Sequence, residues 1–159
     1  MFICVDSREK GHAIGGILEE FKRQEIPHAV TKLFIGDYMD YANPLLVIDR
    51  KQNIAEIAAN CTSQHDRFKR ELERAKDTGT HVVILVEQNQ FGSGKDRKTV
   101  RTIEDLVTWK GQHTVVPGEK VYRILNTWIH KYGIEVMFCS RKDTGKRIIE
   151  ILEGGSDGA

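Results

Sequence analysis

Gly36-Asp37-Tyr38, followed after a short linker by Leu45-Leu46-Val47-Ile48-Asp49-Arg50-Lys51, is the stretch that decides the fold. Leu45 to Ile48 is a continuous apolar run and predicts a buried strand. Asp49, Arg50 and Lys51 follow it without a break, and charged side chains are seldom buried unpaired. Side chains alternate along a strand, so Asp49 and Lys51 share one face and Arg50 takes the other. Asp37 lies 12 positions before Asp49, directly after a glycine able to end a strand. If the flanking strands form a hairpin, the two carboxylates converge. Two carboxylates and an ammonium at one sheet edge suit a hard divalent cation held beside a phosphate. A salt-bridged strand end preceded by a turn aspartate accounts for the same residues, and spacing alone leaves both readings open.

Upstream, Phe2 to Asp6 predicts a first, central strand, apolar throughout and ending in Asp6-Ser7-Arg8-Glu9. Capping or turn formation is the plain account of those acids. Residues 13–25 carry Ile14, Ile17, Leu18 and Phe21 at helical spacing, and Ile26-Pro27 stops that helix. His28 to Ile35 predicts a second strand leading to Gly36, and Asn43-Pro44 a turn into the third. Beyond Lys51, Asn53 is the candidate N-cap of a short helix to Ala59. Gln64 to Asp77 is a longer helix whose core face holds Phe68, Leu72 and Ala75. Arg67, Arg70 and Arg74 form an adjacent stripe, by default a solvated face.

His81 to Glu87 predicts a fourth strand, its terminal Glu87 needing no role beyond ending it. Residues 88–118 are irregular, with a short helix over Ile103 to Trp109. The run from Phe91 to Lys98 mixes glycines and bases but is not a P-loop, because Asp96 follows Gly94-Lys95 where Ser or Thr is required. A helix over Val121 to Tyr132 ends at Gly133, Ile134 to Cys139 is a fifth strand, and Asp143 to Leu152 a last helix.

The order Gly-Asp-Tyr, apolar strand, acid-Arg-Lys resembles the PD-(D/E)xK nuclease signature. With Asp-x-Arg-Glu at the end of the first strand, it is similar to the XPF-type nuclease domain, a family of structure-specific endonucleases of excision repair and replication-fork processing. Its usual signature has Glu-Arg-Lys; here Asp49 stands in place of Glu, one methylene shorter. The likeness runs over most of residues 2–152.

The resemblance implies an α/β restriction-endonuclease-like core, a central mixed sheet of about five strands with helices on both faces. It implies one nuclease domain over residues 1–153, and the terminal residues 154–159 read from the sequence as a flexible tail. It implies Mg²⁺- or Mn²⁺-dependent hydrolysis of DNA phosphodiesters, at branched or flap-like sites. Asp37 and Asp49 would hold the metal, and Lys51 would orient a water or offset developing charge. Arg50 would contact phosphate or brace the acids, with Glu9 and Asp6 completing the catalytic set. Arg67-Phe68 matches the family's Arg-aromatic pair, which implies a DNA contact for Arg67 beside Arg8 and Arg50.

Family members usually add a tandem helix-hairpin-helix domain, for which these 159 residues leave no room. DNA-structure specificity is then expected from a homodimer formed through the late helices, with Trp128 and Ile129 belonging either to that surface or to the core, or from a protein partner. The alternatives are a non-catalytic DNA-binding or scaffolding partner on the same fold, or a Holliday-junction resolvase or restriction-type nuclease. Non-catalytic partners typically lose the acid-Arg-Lys residues, which this sequence keeps.

Composition is compatible with these readings. A chain of 159 residues buries enough surface for one domain. No apolar run approaches the ~20 residues needed to span a bilayer. The N-terminus lacks a basic n-region, and Cys4 and Cys139 lie in apolar runs as expected of buried thiols, so a cytoplasmic chain is expected. A net charge of +1 does not speak against DNA, because a near-neutral protein can carry a local basic surface.

Overall fold

The computed structural model describes residues 1–157, with side chains described through residue 154. In chain order the elements are β1 (Ile3–Asp6), α1 (Gly11–Arg23), β2 (His28–Thr31), β3 (Tyr38–Asp40), β4 (Asn43–Lys51), α2 (Ile54–Cys61), α3 (His65–Asp77) and β5 (His81–Val86). They continue with β6 (Gln90–Phe91), β7 (Lys98–Thr99), α4 (Gly118–Tyr132), β8 (Glu135–Phe138) and α5 (Thr144–Asp157). Six strands form the main sheet in the order β2-β1-β3-β4-β5-β8, and β6 and β7 make a small separate ribbon.

In the main sheet β1 runs parallel to β2, and β4, β5 and β8 are mutually parallel. Only β3 is reversed, pairing antiparallel with both β1 and β4. The carboxyl ends of all the other strands therefore meet at one edge of the sheet, the edge at which open α/β sheets bind ligands.

The central sheet is buried on both faces. Along β4 and β5 the side chains alternate between two cores: Val47, Val82 and Ile84 pack with α2, α3 and α4, while Ile48, Val83 and Leu85 pack with α1 and α5. Each fully buried aliphatic side chain stabilises the fold by roughly 1.5–3 kcal/mol. Asn53 caps α2 as its sequence predicts, its Oδ1 accepting from the Glu56 amide at 2.8 Å. Gly133 ends α4 at φ +67°. Trp128 is core, 3% exposed, its ring tilted at 45° to that of Phe68 with centroids 5.4 Å apart, while Ile129 is partly buried against the same cluster.

Several expectations need revision. The mixed sheet flanked by helices is as expected, and its strands, about five by sequence, number six because Tyr38–Asp40 is itself a strand. The second strand stops at Thr31 instead of running to Ile35. Beyond it, the Leu33 amide donates to Asp6 Oδ1 at 2.8 Å, which draws the chain away from the sheet edge. The hairpin that brings Asp37 to Asp49 is thus β3–β4, while β2 lies at the far edge beside β1. Helix α4 starts at Gly118, three residues earlier than its apolar pattern suggests. Helix α5 continues to Asp157, past the expected start of the tail at Gly154, and residues 158–159 lie outside the described residues. All three cysteines are free and buried. No helix among the described residues is long and apolar enough to cross a membrane.

Candidate active site

Gly36 adopts φ +76° at the entry to β3, a left-handed turn that turns Asp37 back onto β4. The Asp37 amide donates to the Ile48 carbonyl at 2.7 Å, and the Asp6 amide donates to the Asp37 carbonyl at 2.8 Å. The residue is thereby stitched to the ends of both β1 and β4. Its Oδ2 accepts from the Arg50 amide at 2.8 Å. Burial raises the Asp37 carboxyl well above its ordinary value, and the charges of Asp49 and Glu9 push it further; the Arg50 amide and Lys51 offset this only in part. Joined to the Ile48 carbonyl and the Arg50 amide, Asp37 lies against the end of β4 that carries Asp49, and both line one cleft.

The alternation of β4 divides the remaining charges between its faces. On one, Lys51 Nζ lies 3.0 Å from Asp49 Oδ1 and 4.5 Å from the centroid of the Phe68 ring. Burial favours neutral Lys51, but the Asp49 charge and hydrogen bond overcome it and the ammonium is held above its ordinary value. On the other face, Arg50 grips Glu9 with two parallel hydrogen bonds, at 2.8 and 2.9 Å, and reaches Glu87 at 3.2 Å. Burial works against this guanidinium too, and the hydrogen bonds and charge of Glu9, with the charge of Glu87, outweigh it.

Asp37, Asp49, Arg50, Lys51 and Glu9 are thus gathered at one sheet edge. Asp6 lies in the wall beside them, 1% exposed, its oxygens occupied by the Leu33 amide and by Arg8 Nε at 2.7 Å. It fastens the 31–33 segment and Arg8. Arg8 is otherwise exposed and also donates to the Leu33 carbonyl at 3.1 Å.

A cleft of about 480 Å³ opens over the cluster, and Arg67 is among the residues lining it. Arg74 lines it as well, while Arg70 is not among the lining residues. Glu87 and Arg74 are the additions that sequence analysis missed. Glu87 had a signal, an acid directly after five apolar residues, but nothing in the sequence names its partner.

Among the described residues, no group of three or more His, Cys, Asp and Glu side chains is arranged to enclose a metal ion. The pair Asp37 and Asp49 still fits Mg²⁺, which commonly takes one or two carboxylates and completes its shell with waters and substrate phosphate. A cation held by them would offset the burial and the like charges that keep Asp37 hard to ionise.

Two solved structures share the architecture. XPF from Aeropyrum pernix superposes with a TM-score of 0.69 at 18% identity, covering 98% of this chain and 65% of that one. XPF from Aeropyrum pernix in complex with DNA gives 0.66 at 18% identity, covering 99% of this chain and 66% of that one. This chain thus spans slightly less than two thirds of each. The fold is that of an XPF-type nuclease domain, with an acidic and basic cluster at the carboxyl edge of its sheet. The model of the ERCC4 domain family matches residues 5–151, and the chain belongs to that family. No curated protein matches it.

Proposed function

We propose that this domain is a metal-dependent endonuclease that hydrolyses DNA phosphodiesters at branched or flap-like sites. The observation that carries the proposal is the placement of Asp37 against the end of β4, where Asp49 pairs with Lys51, in a cleft also lined by Arg67 and Arg74. Asp37 and Asp49 would hold Mg²⁺ or Mn²⁺, which when bound supplies Lewis acidity to the phosphate and lowers the pKa of a water.

The chain's own residues do the rest. Lys51, anchored by Asp49 and packed over Phe68, presents its positive charge where negative charge develops on the phosphate. The Arg50 side chain is only 7% exposed and already serves two carboxylates, which favours bracing over phosphate contact. Glu9 positions Arg50, whose amide in turn fixes Asp37. Arg67 and Arg8, both exposed, offer charge to the DNA backbone.

A homodimer would let one copy steer DNA for the other. Light scattering at micromolar concentration should give about twice 18.1 kDa, and a lone 18.1-kDa species rejects it. For the activity, end-labelled flap, fork, four-way junction, duplex and single-stranded DNA are incubated with Mg²⁺, Mn²⁺ or EDTA. Cutting of branched substrates is expected with either metal and none with EDTA. Folded protein that binds DNA but cuts none of these would establish the non-catalytic alternative. Preference for four-way junctions would indicate a resolvase.

A further inference from the structure

Phe34 is 71% exposed, and of the strongly exposed aromatic side chains Phe2, Phe34 and Tyr41 it alone lines the cleft among the described residues. An exposed apolar side chain by itself is ordinary. This one is held in place. Leu33 before it is 4% exposed, with its amide on Asp6 and its carbonyl on Arg8. Ile35 after it packs against the core, and Gly36 then turns the chain into Asp37. With Leu33 and Ile35 directed inward, Phe34 is directed out over the cleft by the backbone. The Arg74 guanidinium lies 5.5 Å from the ring centroid, a cation–π contact that steadies the ring. At 71% exposure most of the ring surface remains open to solvent.

An apolar, planar, anchored surface beside a guanidinium, three residues from the candidate metal ligand Asp37, matches what nucleic acid offers: a base face and its phosphate. Bases inside a duplex are already covered on both faces by their neighbours. Only an unpaired or splayed nucleotide has a face to give. We propose that Phe34 is a stacking platform for an unpaired nucleobase next to the scissile phosphate, with Arg74 on the adjoining backbone. The proposal rests on the nucleic-acid reading above and deepens it. The domain would select single-stranded arms at a junction through its own cleft.

Base–aromatic stacking corresponds to about 5- to 150-fold in affinity per base. The test is an equilibrium binding scan in EDTA. A forked DNA carries a single abasic site, moved one nucleotide at a time along the single-stranded arm. For the wild type, one or two positions near the branch should show a loss of affinity in that range. Phe34→Ala should show no such position, Phe34→Trp should keep it, and Phe34→Leu, apolar but without a ring, should lose most of it. Melting temperatures of the three variants should stay close to wild type, since the side chain is mostly in solvent. A flat scan in the wild type, or an unchanged scan in Phe34→Ala, overturns the proposal. The two readings fail separately. A position-dependent scan that vanishes in Phe34→Ala, from a protein that cuts nothing, removes the nuclease reading and leaves the platform. Metal-dependent cutting with a flat scan does the reverse.

Discussion

Asp37 is the residue whose environment opposes its charge. Its carboxyl is raised by burial, then by Asp49 and Glu9. The native state therefore holds this proton more tightly than the unfolded chain does. Across the window between the ordinary and the raised value, stability falls as pH rises. In EDTA, Asp37→Asn should abolish that fall and be the more stable protein at neutral pH, with the advantage disappearing below the ordinary carboxylate value. Mg²⁺ should raise the urea midpoint of the wild type and not of the variant. A neutral-pH midpoint below wild type in EDTA would contradict this account. Asp49→Asn should lower cleavage by more than about 100-fold, since losing even an outer partner of a metal site costs up to that much. Retained Mg²⁺ affinity with retained cleavage would show that Asp49 is not a ligand. Glu9→Ala breaks a different interaction. It strips the buried Arg50 of its two-pronged partner, and removing one member of a buried pair costs about 3–5 kcal/mol. Urea denaturation measures it, and a loss under 1 kcal/mol would mean Glu87 suffices. The division of Asp49 and Lys51 from Arg50 was legible in the sequence, because alternation along a strand is strict. The link from Arg50 to Glu87 was not, since it joins residues 37 positions apart through strand pairing alone.

At the scale of elements, the long strands and helices were legible from apolar runs and helical periodicity, whereas β3 was not. Three residues, Tyr38-Met39-Asp40, are too few to establish a period, and what makes them a strand is the pairing offered by β1 and β4. Likewise the end of β2 is set by a carboxylate 27 positions upstream of Leu33. The turn that joins these pieces depends on Gly36. A Cβ there would lie 2.9 Å from Val47 Cβ and 3.1 Å from the Ile48 carbonyl oxygen, at a backbone angle that L-residues avoid. Left-handed backbone costs about 1–2 kcal/mol and overpacking about 1–3 kcal/mol. Gly36→Ala should therefore lose roughly 2–5 kcal/mol in urea denaturation. Because Asp37 is the next residue, cleavage measured well below the melting transition should fall by more than the folded fraction alone would predict. Activity that simply tracks the folded fraction would separate the turn from the site.

Over the whole molecule the charges nearly cancel, 24 basic against 23 acidic side chains, so net charge supplies no basis for the proposed DNA binding. What remains is local arrangement. Helix α3 provides an internal comparison, because Arg67 and Arg70 share a helix, a charge and exposure to solvent, yet only Arg67 lines the cleft. If binding followed net charge, neutralising either would have the same effect. If it follows phosphates lying in the cleft, Arg67→Ala should reduce the slope of log K against log salt by about 0.9, the contribution of one phosphate contact on duplex DNA. Arg70→Ala should leave the slope at its wild-type value. Neither substitution should disturb the fold, since both side chains point into solvent and the buried face of α3 is made by Phe68, Leu72 and Ala75. The measurement is binding to a forked DNA in EDTA across a range of salt concentrations, with the melting temperature of each protein recorded alongside. Equal slope changes in the two variants would mean that DNA rides on the outer face of α3 and not in the cleft above Asp37 and Asp49. The cluster would then be too far from the backbone to act on it.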